Sequence, residues 1–161
     1  MLPLDSILQL SSGLSFLALA MAASAQRLPY GPEITLDLAK KIAAAAIAEA
    51  GKNSWNVAVA IVDDGGHLVY FERLDETQFG SVDIAIGKAR TAAAFKRPTK
   101  ALEDAINSGQ NAILSFPNTL PREGGLPILS GGKVIGGIGV SGGKSSEDAQ
   151  VAMAGVEALK K

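Results

Sequence analysis

Between Gly124 and Ser146 the chain reads "GGLPILSGGKVIGGIGVSGGKSS", which packs nine of its eighteen glycines into twenty positions. Glycine inside a regular segment marks a bulge or a place where another backbone or a ligand comes close. The run is therefore either a phosphate cradle or a strand pair with one surface kept low. A P-loop needs a glycine five positions before the one that precedes the lysine. With Gly143, Lys144 and Ser145 fixed, that position is Ile138. The dinucleotide fingerprint matches at Gly137, Gly139 and Gly142, but it needs a second parallel strand and an acidic residue about 20 positions on. The 161 residues leave no room for either, so a nucleotide site is not expected. The run parses instead as a strand "LPILS", a turn "GG" and a strand "KVIGGIGVS". Ser145 or Ser146 is expected to cap a last helix, with Glu147 and Asp148 in its first turn and Lys160 and Lys161 at its end.

Upstream, "RLPYGPE" carries two prolines and a glycine and reads as an extended linker over 26–33. Thr35 caps a helix in "TLDLAKKIAAAAIAEAGKN", with Gly51 as its expected stop. "WNVAVAIVD" and "HLVYFERLD" alternate as strands, joined by Asp64, Gly65 and Gly66, whose left-handed backbone angles suit a tight hairpin. Residues 81–95 are helical by period, "TKALEDAINSG" is a second short helical piece, and "ILSFPNTLPRE" is a loop. Two hairpins with segregated helices imply an α+β domain around an antiparallel sheet over 34–161.

The length suits one domain with a proper core, and 47% apolar against 19% charged residues is ordinary for a globular protein. Fifteen Lys and Arg against sixteen Asp and Glu leave no positive surplus for nucleic acid. The absence of cysteine removes thiolate metal sites, thiol catalysis and disulfides together, and leaves the redox compartment open. Residues 1–25 hold one charge, Asp5, and an apolar run over 13–25 that ends in Ala23, Ser24 and Ala25. This is the pattern of a secretory signal cut before Gln26, which implies a periplasmic or secreted protein. The usual leading Lys or Arg is missing, so a buried helix in a cytoplasmic protein, or a membrane anchor, is the rival reading. The run falls short of the roughly 20 residues of a stable membrane span.

The segments "VAIVDDGGHLVYFERLD", "KARTAAAFKRPT" and "EGGLPILSGGKVIGGIGVSGGKSSEDAQVAMAGVEAL" resemble, in the same order, the motifs of the GlcG/HbpS-like haem-degrading domain family, which also takes in the C-terminal domain of PduO-type proteins. The resemblance implies a profilin-like α/β/α sandwich with a five-stranded antiparallel sheet. It also implies a homo-oligomer, often an octamer, and a small-molecule ligand, with haem or a related tetrapyrrole as cofactor or cargo and a haem-sensing or haem-degrading role.

His67 is the only histidine, so imidazole ligation of a haem iron must use it. The plain alternative is an exposed polar residue after a turn. Tyr70 is the other iron donor, but by strand alternation it faces away from His67. Lys88, Thr91 and Phe95 lie along one helical face at spacings of three and four, with Arg90 around the side. A cation, a hydroxyl and an aromatic ring can hold a planar carboxylate-bearing ligand; any amphipathic helix gives the same spacing. Arg122 and Glu123 precede Gly124 and Gly125, whose amides can face a ligand, and Ser141 ends the glycine-rich strand. The expected site is a cleft beside that strand, with Lys88 and Arg122 neutralising carboxylates; a mere surface ion pair of Arg122 with Glu123 is the alternative. An enzyme or accessory protein acting on small hydroxy or oxo acids, with Glu123 moving the proton, is the competing function. Ser141 lacks an evident base for hydrolysis, and scattered carboxylates with one histidine have no metal-ligand spacing.

Overall fold

The computed structural model describes residues 28–160, so the expected signal segment over 1–25 lies outside the described residues. Thr35, in extended backbone, accepts the N–H of Leu38 at 3.3 Å and starts helix α1, Leu36–Lys52. The helix runs through Gly51 and closes at Asn53, whose N–H reaches the carbonyls of Ala50 and Gly51. Gly51 is therefore not the stop; the chain turns out of the helix at Ser54, with φ 57.

Strands β1, Ala58–Asp63, and β2, Leu68–Arg73, form the first hairpin, and within its turn Gly66 alone adopts positive φ. Helix α2, Ser81–Phe95, ends at left-handed Lys96, and α3, Thr99–Asn107, starts after Pro98. A 3₁₀ turn, Asn111–Ser115, and a loop lead to strand β3, Gly125–Ser130. Gly131 and Gly132, both at positive φ, turn the chain into β4, Lys133–Ser141. The last helix, α4, is Ser145–Glu157. Its cap is Lys144 rather than Ser145 or Ser146, and Glu147 accepts the Lys144 N–H at 2.8 Å.

The strands lie in the order β2-β1-β4-β3, every neighbour antiparallel. This is the expected α+β architecture, with four strands among the described residues and not the five that the resemblance implied. The incoming segment makes only one parallel bridge, Tyr30 to Val134, beside the register shift between Ile128 and Leu129. Pro29 and Pro32 flank that bridge and have no N–H with which to lengthen it.

The two faces of the sheet are packed differently. On one, Val59, Ile61, Ile128, Ile138 and Val140 meet α1 and α4 through Ile42, Ala43, Ala46, Val151 and Ala152. On the other, Ala58, Ala60 and Val62 meet Ala85, Ala89 and Ala93 of α2. A Cβ at Gly137 would run into the Ala89 carbonyl, and one at Gly139 into that of Ala85. The low surface of the glycine run is thus filled by an alanine-faced helix, and it is backbone close packing that needs the missing side chains.

Candidate functional site

Lys88, Thr91 and Phe95 do share one face of α2, and what lies on it is the returning segment over 116–125. Phe95 stacks on Phe116 with ring centroids 5.7 Å apart and planes 9° from parallel. The Thr91 hydroxyl donates to the Gly87 carbonyl and accepts the Leu120 N–H, both at 2.8 Å. The Lys88 ammonium donates to Asp148 Oδ2 and to the Val140 carbonyl, each at 2.8 Å, and the residue is 1% exposed. Burial pulls Lys88 below the ordinary lysine range and pushes Asp148 above the ordinary carboxylate range, while their mutual hydrogen bond opposes both shifts. The expectation that Lys88 neutralises a ligand carboxylate is corrected by this placement: its charge is sealed inside and already paired.

The other expected residues are also committed. A Cβ at Gly124 would press on Lys88 Nζ at 2.8 Å, and one at Gly125 would meet Thr99 Cγ2 at 2.6 Å, so both glycines serve close packing. The Gly125 N–H goes to Thr99 Oγ1 at 2.9 Å and not to a ligand. Arg122 pairs with Glu103 at 2.6 Å, and Glu103 also accepts the Glu123 N–H at 2.7 Å, so the Arg122 partner is on α3 and is not Glu123. Ser141 is buried and donates to Ser81 Oγ at 3.2 Å. Lys88, Thr91 and Ser141 are thus buried and bonded within the chain, whereas the Arg122 side chain stays 62% exposed beside Glu103.

His67 and Phe95 meet elsewhere. The turn of the first hairpin, the outer side of α2 and the segment over 116–118 enclose a cleft of about 720 Å³ lined by Gly65, Gly66, His67, Arg90, Ala94, Phe95, Phe116, Pro117 and Asn118. That lies within the roughly 300–1,000 Å³ of small-molecule sites. The His67 side chain is 82% exposed, its backbone N–H donates to Asp63 Oδ1 at 2.8 Å, and its Nδ1 lies 3.2 Å from Asp63 Oδ2. Arg90 Nε donates to the Gly66 carbonyl at 3.0 Å, which leaves the terminal guanidinium nitrogens for an anion. Tyr70 packs toward the α1 and α4 core and donates its hydroxyl to Glu72 at 2.9 Å; that bond raises its pKa and disfavours the phenolate that iron prefers. Among the described residues no three His, Asp or Glu side chains gather as a metal-ion site.

The cleft fits a haem by its donor set: one imidazole with a carboxylate behind it, one guanidinium for a propionate, and stacked aromatic rings for a planar face. Arg90, Phe116 and Asp63 were the parts that spacing alone did not assign. Asp63 carries a readable signal, an acid four residues before the only histidine across a tight turn. Phe116 carries none, since nothing local brings it to Phe95.

An antiparallel sheet clad by helices on both faces defines a small α+β domain, here with an exposed histidine beside an aromatic-walled cleft. The sequence model of the family described as haem degrading protein HbpS-like matches residues 34–157, and the chain belongs to that family. It is 41% identical over 108 residues to protein GlcG of Escherichia coli K12, covering 67% of this chain and 81% of that protein. The crystal structure of a Streptomyces reticuli HbpS double mutant superposes with TM-score 0.76 and 34% identity, over 82% of this chain and 90% of the other. A crystal structure of a PduOC:haem complex superposes with TM-score 0.71 and 27% identity, over 78% and 94%.

Proposed function

We propose that this protein binds haem or a closely related tetrapyrrole in the cleft beside His67. The observation that carries the reading is the meeting of His67, Arg90 and the Phe95 and Phe116 stack around one cavity of suitable size. Membership of a family described as haem-degrading and likeness to a PduOC:haem complex support it. In this reading His67 would hold the iron through an imidazole nitrogen, Arg90 would neutralise a propionate, and Phe95 and Phe116 would give the apolar wall. When bound, haem would supply a redox-active iron. Sensing and degradation are two uses of the same binding step.

Two further parts belong to the proposal. The apolar run over 13–25 and its small-residue end support export to the periplasm or beyond. No helix among the described residues is long and apolar enough to cross a membrane. Half-exposed Leu129 and Met153, beside an apolar groove lined also by Leu126 and Pro127, support self-association, which light scattering tests.

Haemin titration of the protein and of His67→Ala tests the central reading. A Soret shift in the first that is lost in the second is expected. Unchanged spectra in both, with stabilisation by small hydroxy acids in a melting assay, would replace it with the acid-metabolism reading.

A further inference from the structure

We infer that Asp63 is the positioning residue that presents His67 as an iron ligand, by holding its imidazole in the tautomer that leaves the lone pair on Nε2. The inference rests on the reading of the cleft as a haem site and adds a residue to it. Both carboxylate oxygens of Asp63 serve one residue: Oδ1 takes the His67 backbone N–H at 2.8 Å, and Oδ2 lies 3.2 Å from Nδ1. An ionised carboxylate only accepts, so a neutral ring facing it carries its proton on Nδ1. The ring nitrogen that remains unprotonated is Nε2.

The seat is built from several sides. Asp63 ends β1, its N–H donates to the His67 carbonyl at 2.9 Å, and its side chain is only 14% exposed, so it is held in place. Gly66, at φ +86, donates its N–H to the Asp63 carbonyl at 3.1 Å, while its own carbonyl is held by Arg90 at 3.0 Å. At Gly65 a Cβ would stand 3.1 Å from both Nδ1 and Cε1 of the ring, so the imidazole lies close over the backbone of the turn. An exposed polar residue on a hairpin has no need of a dedicated carboxylate, a glycine floor and a tethered turn. A carboxylate on the far N–H of a metal-bound imidazole fixes the ring and strengthens its donor nitrogen. A stronger donor favours the ferric state, so Asp63 should hold the reduction potential of the loaded protein down.

Nitrogen-15 NMR of histidine-labelled apoprotein tests the first half, and the single histidine makes assignment unambiguous. In the neutral ring, the Nδ1–H tautomer should dominate in the native protein and give way to a mixture in Asp63→Ala. Haemin titration and potentiometry test the second half. Asp63→Ala should bind haemin about 10–100-fold more weakly. Asp63→Asn, which keeps an acceptor but not the charge, should raise the potential of the loaded protein. A native ring protonated on Nε2 would overturn the inference. So would loss of the Soret shift in His67→Ala alongside unchanged affinity and potential in both Asp63 variants, and that outcome would leave the haem reading standing. A Soret shift kept in His67→Ala would remove the ligand role and this inference with it, whatever the tautomer, and no Soret shift in the native protein would remove the haem reading itself.

Discussion

Two acid–base pairs flank α2, and they are put to opposite uses. Lys88 and Asp148 meet at 2.8 Å with side chains 2% and 4% exposed, at the junction of α2, β4 and α4. Asp63 and His67 meet at 3.2 Å on a hairpin turn with the imidazole 82% exposed. The first pair makes its hydrogen bonds inside the protein, Lys88 to Asp148 and the Val140 carbonyl, and ties three elements together. The second uses one ring nitrogen for the pair and leaves the other beside a cleft. Burial makes a charged pair a structural obligation, whereas exposure leaves it available to a ligand.

The sharpest way to break that contrast is to remove one partner of the buried pair. Asp148→Ala leaves the Lys88 ammonium enclosed and uncompensated, and should cost about 3–5 kcal/mol in urea denaturation. Lys88→Met with Asp148→Leu removes both charges and should recover most of that loss. The pH profile has a defined sign. Asp148 is raised above 3.8, so stability present below that pH is lost as pH climbs through its folded value. Lys88 is lowered below 10.5, so stability returns as pH climbs from its folded value toward 10.5. The margin by which the urea midpoint of the native protein exceeds that of the double variant should therefore be smallest between those limits.

Next in size is the glycine surface. Gly139→Ala places a methyl group against the Ala85 carbonyl and must lift α2 from the sheet, at about 1–3 kcal/mol of overpacking. An unchanged melting temperature would show that the helix has room the packing denies. Glu103→Ala removes the acceptor of both Arg122 and the Glu123 N–H, and should cost about 1–2 kcal/mol. Arg122→Ala, which removes only an exposed guanidinium, should cost less than half of that in the same assay.

The elements were legible where local rules decide. The two strands of the glycine-rich hairpin and the span of α2 follow from alternation, turn glycines and helical period, and the structure places them there. The helix face that carries Lys88, Thr91 and Phe95 was equally legible; its occupant was not. Spacing says which residues share a face, but Phe116, Leu120 and Asp148 reach their partners on it from 21, 29 and 60 positions downstream in the chain. A lysine set among the buried alanines 85, 89 and 92 was the available signal that a counter-charge had to exist, without saying which acid supplies it. Among the described residues no fifth strand forms; the incoming segment makes one bridge, at Tyr30, between Pro29 and Pro32.

The smallest expected effect on stability belongs to the residue with the largest expected effect on binding. His67→Ala removes an exposed ring whose bond to Asp63 lies at 3.2 Å in solvent, a class of pair that contributes roughly 0–1 kcal/mol. The backbone bond from the His67 N–H to Asp63 survives the substitution, as does the Arg90 tether on Gly66, so the turn keeps its shape. The melting temperature should move by an amount equivalent to about 0.5 kcal/mol or less, while the haemin-induced Soret shift disappears. A large loss of stability would mean that the exposed pair is holding the hairpin as Lys88 and Asp148 hold the core, and the division between a structural and a ligand-facing pair would fail. A stable variant that no longer responds to haemin would separate the two sides of α2 cleanly, one built to be closed and the other to be filled.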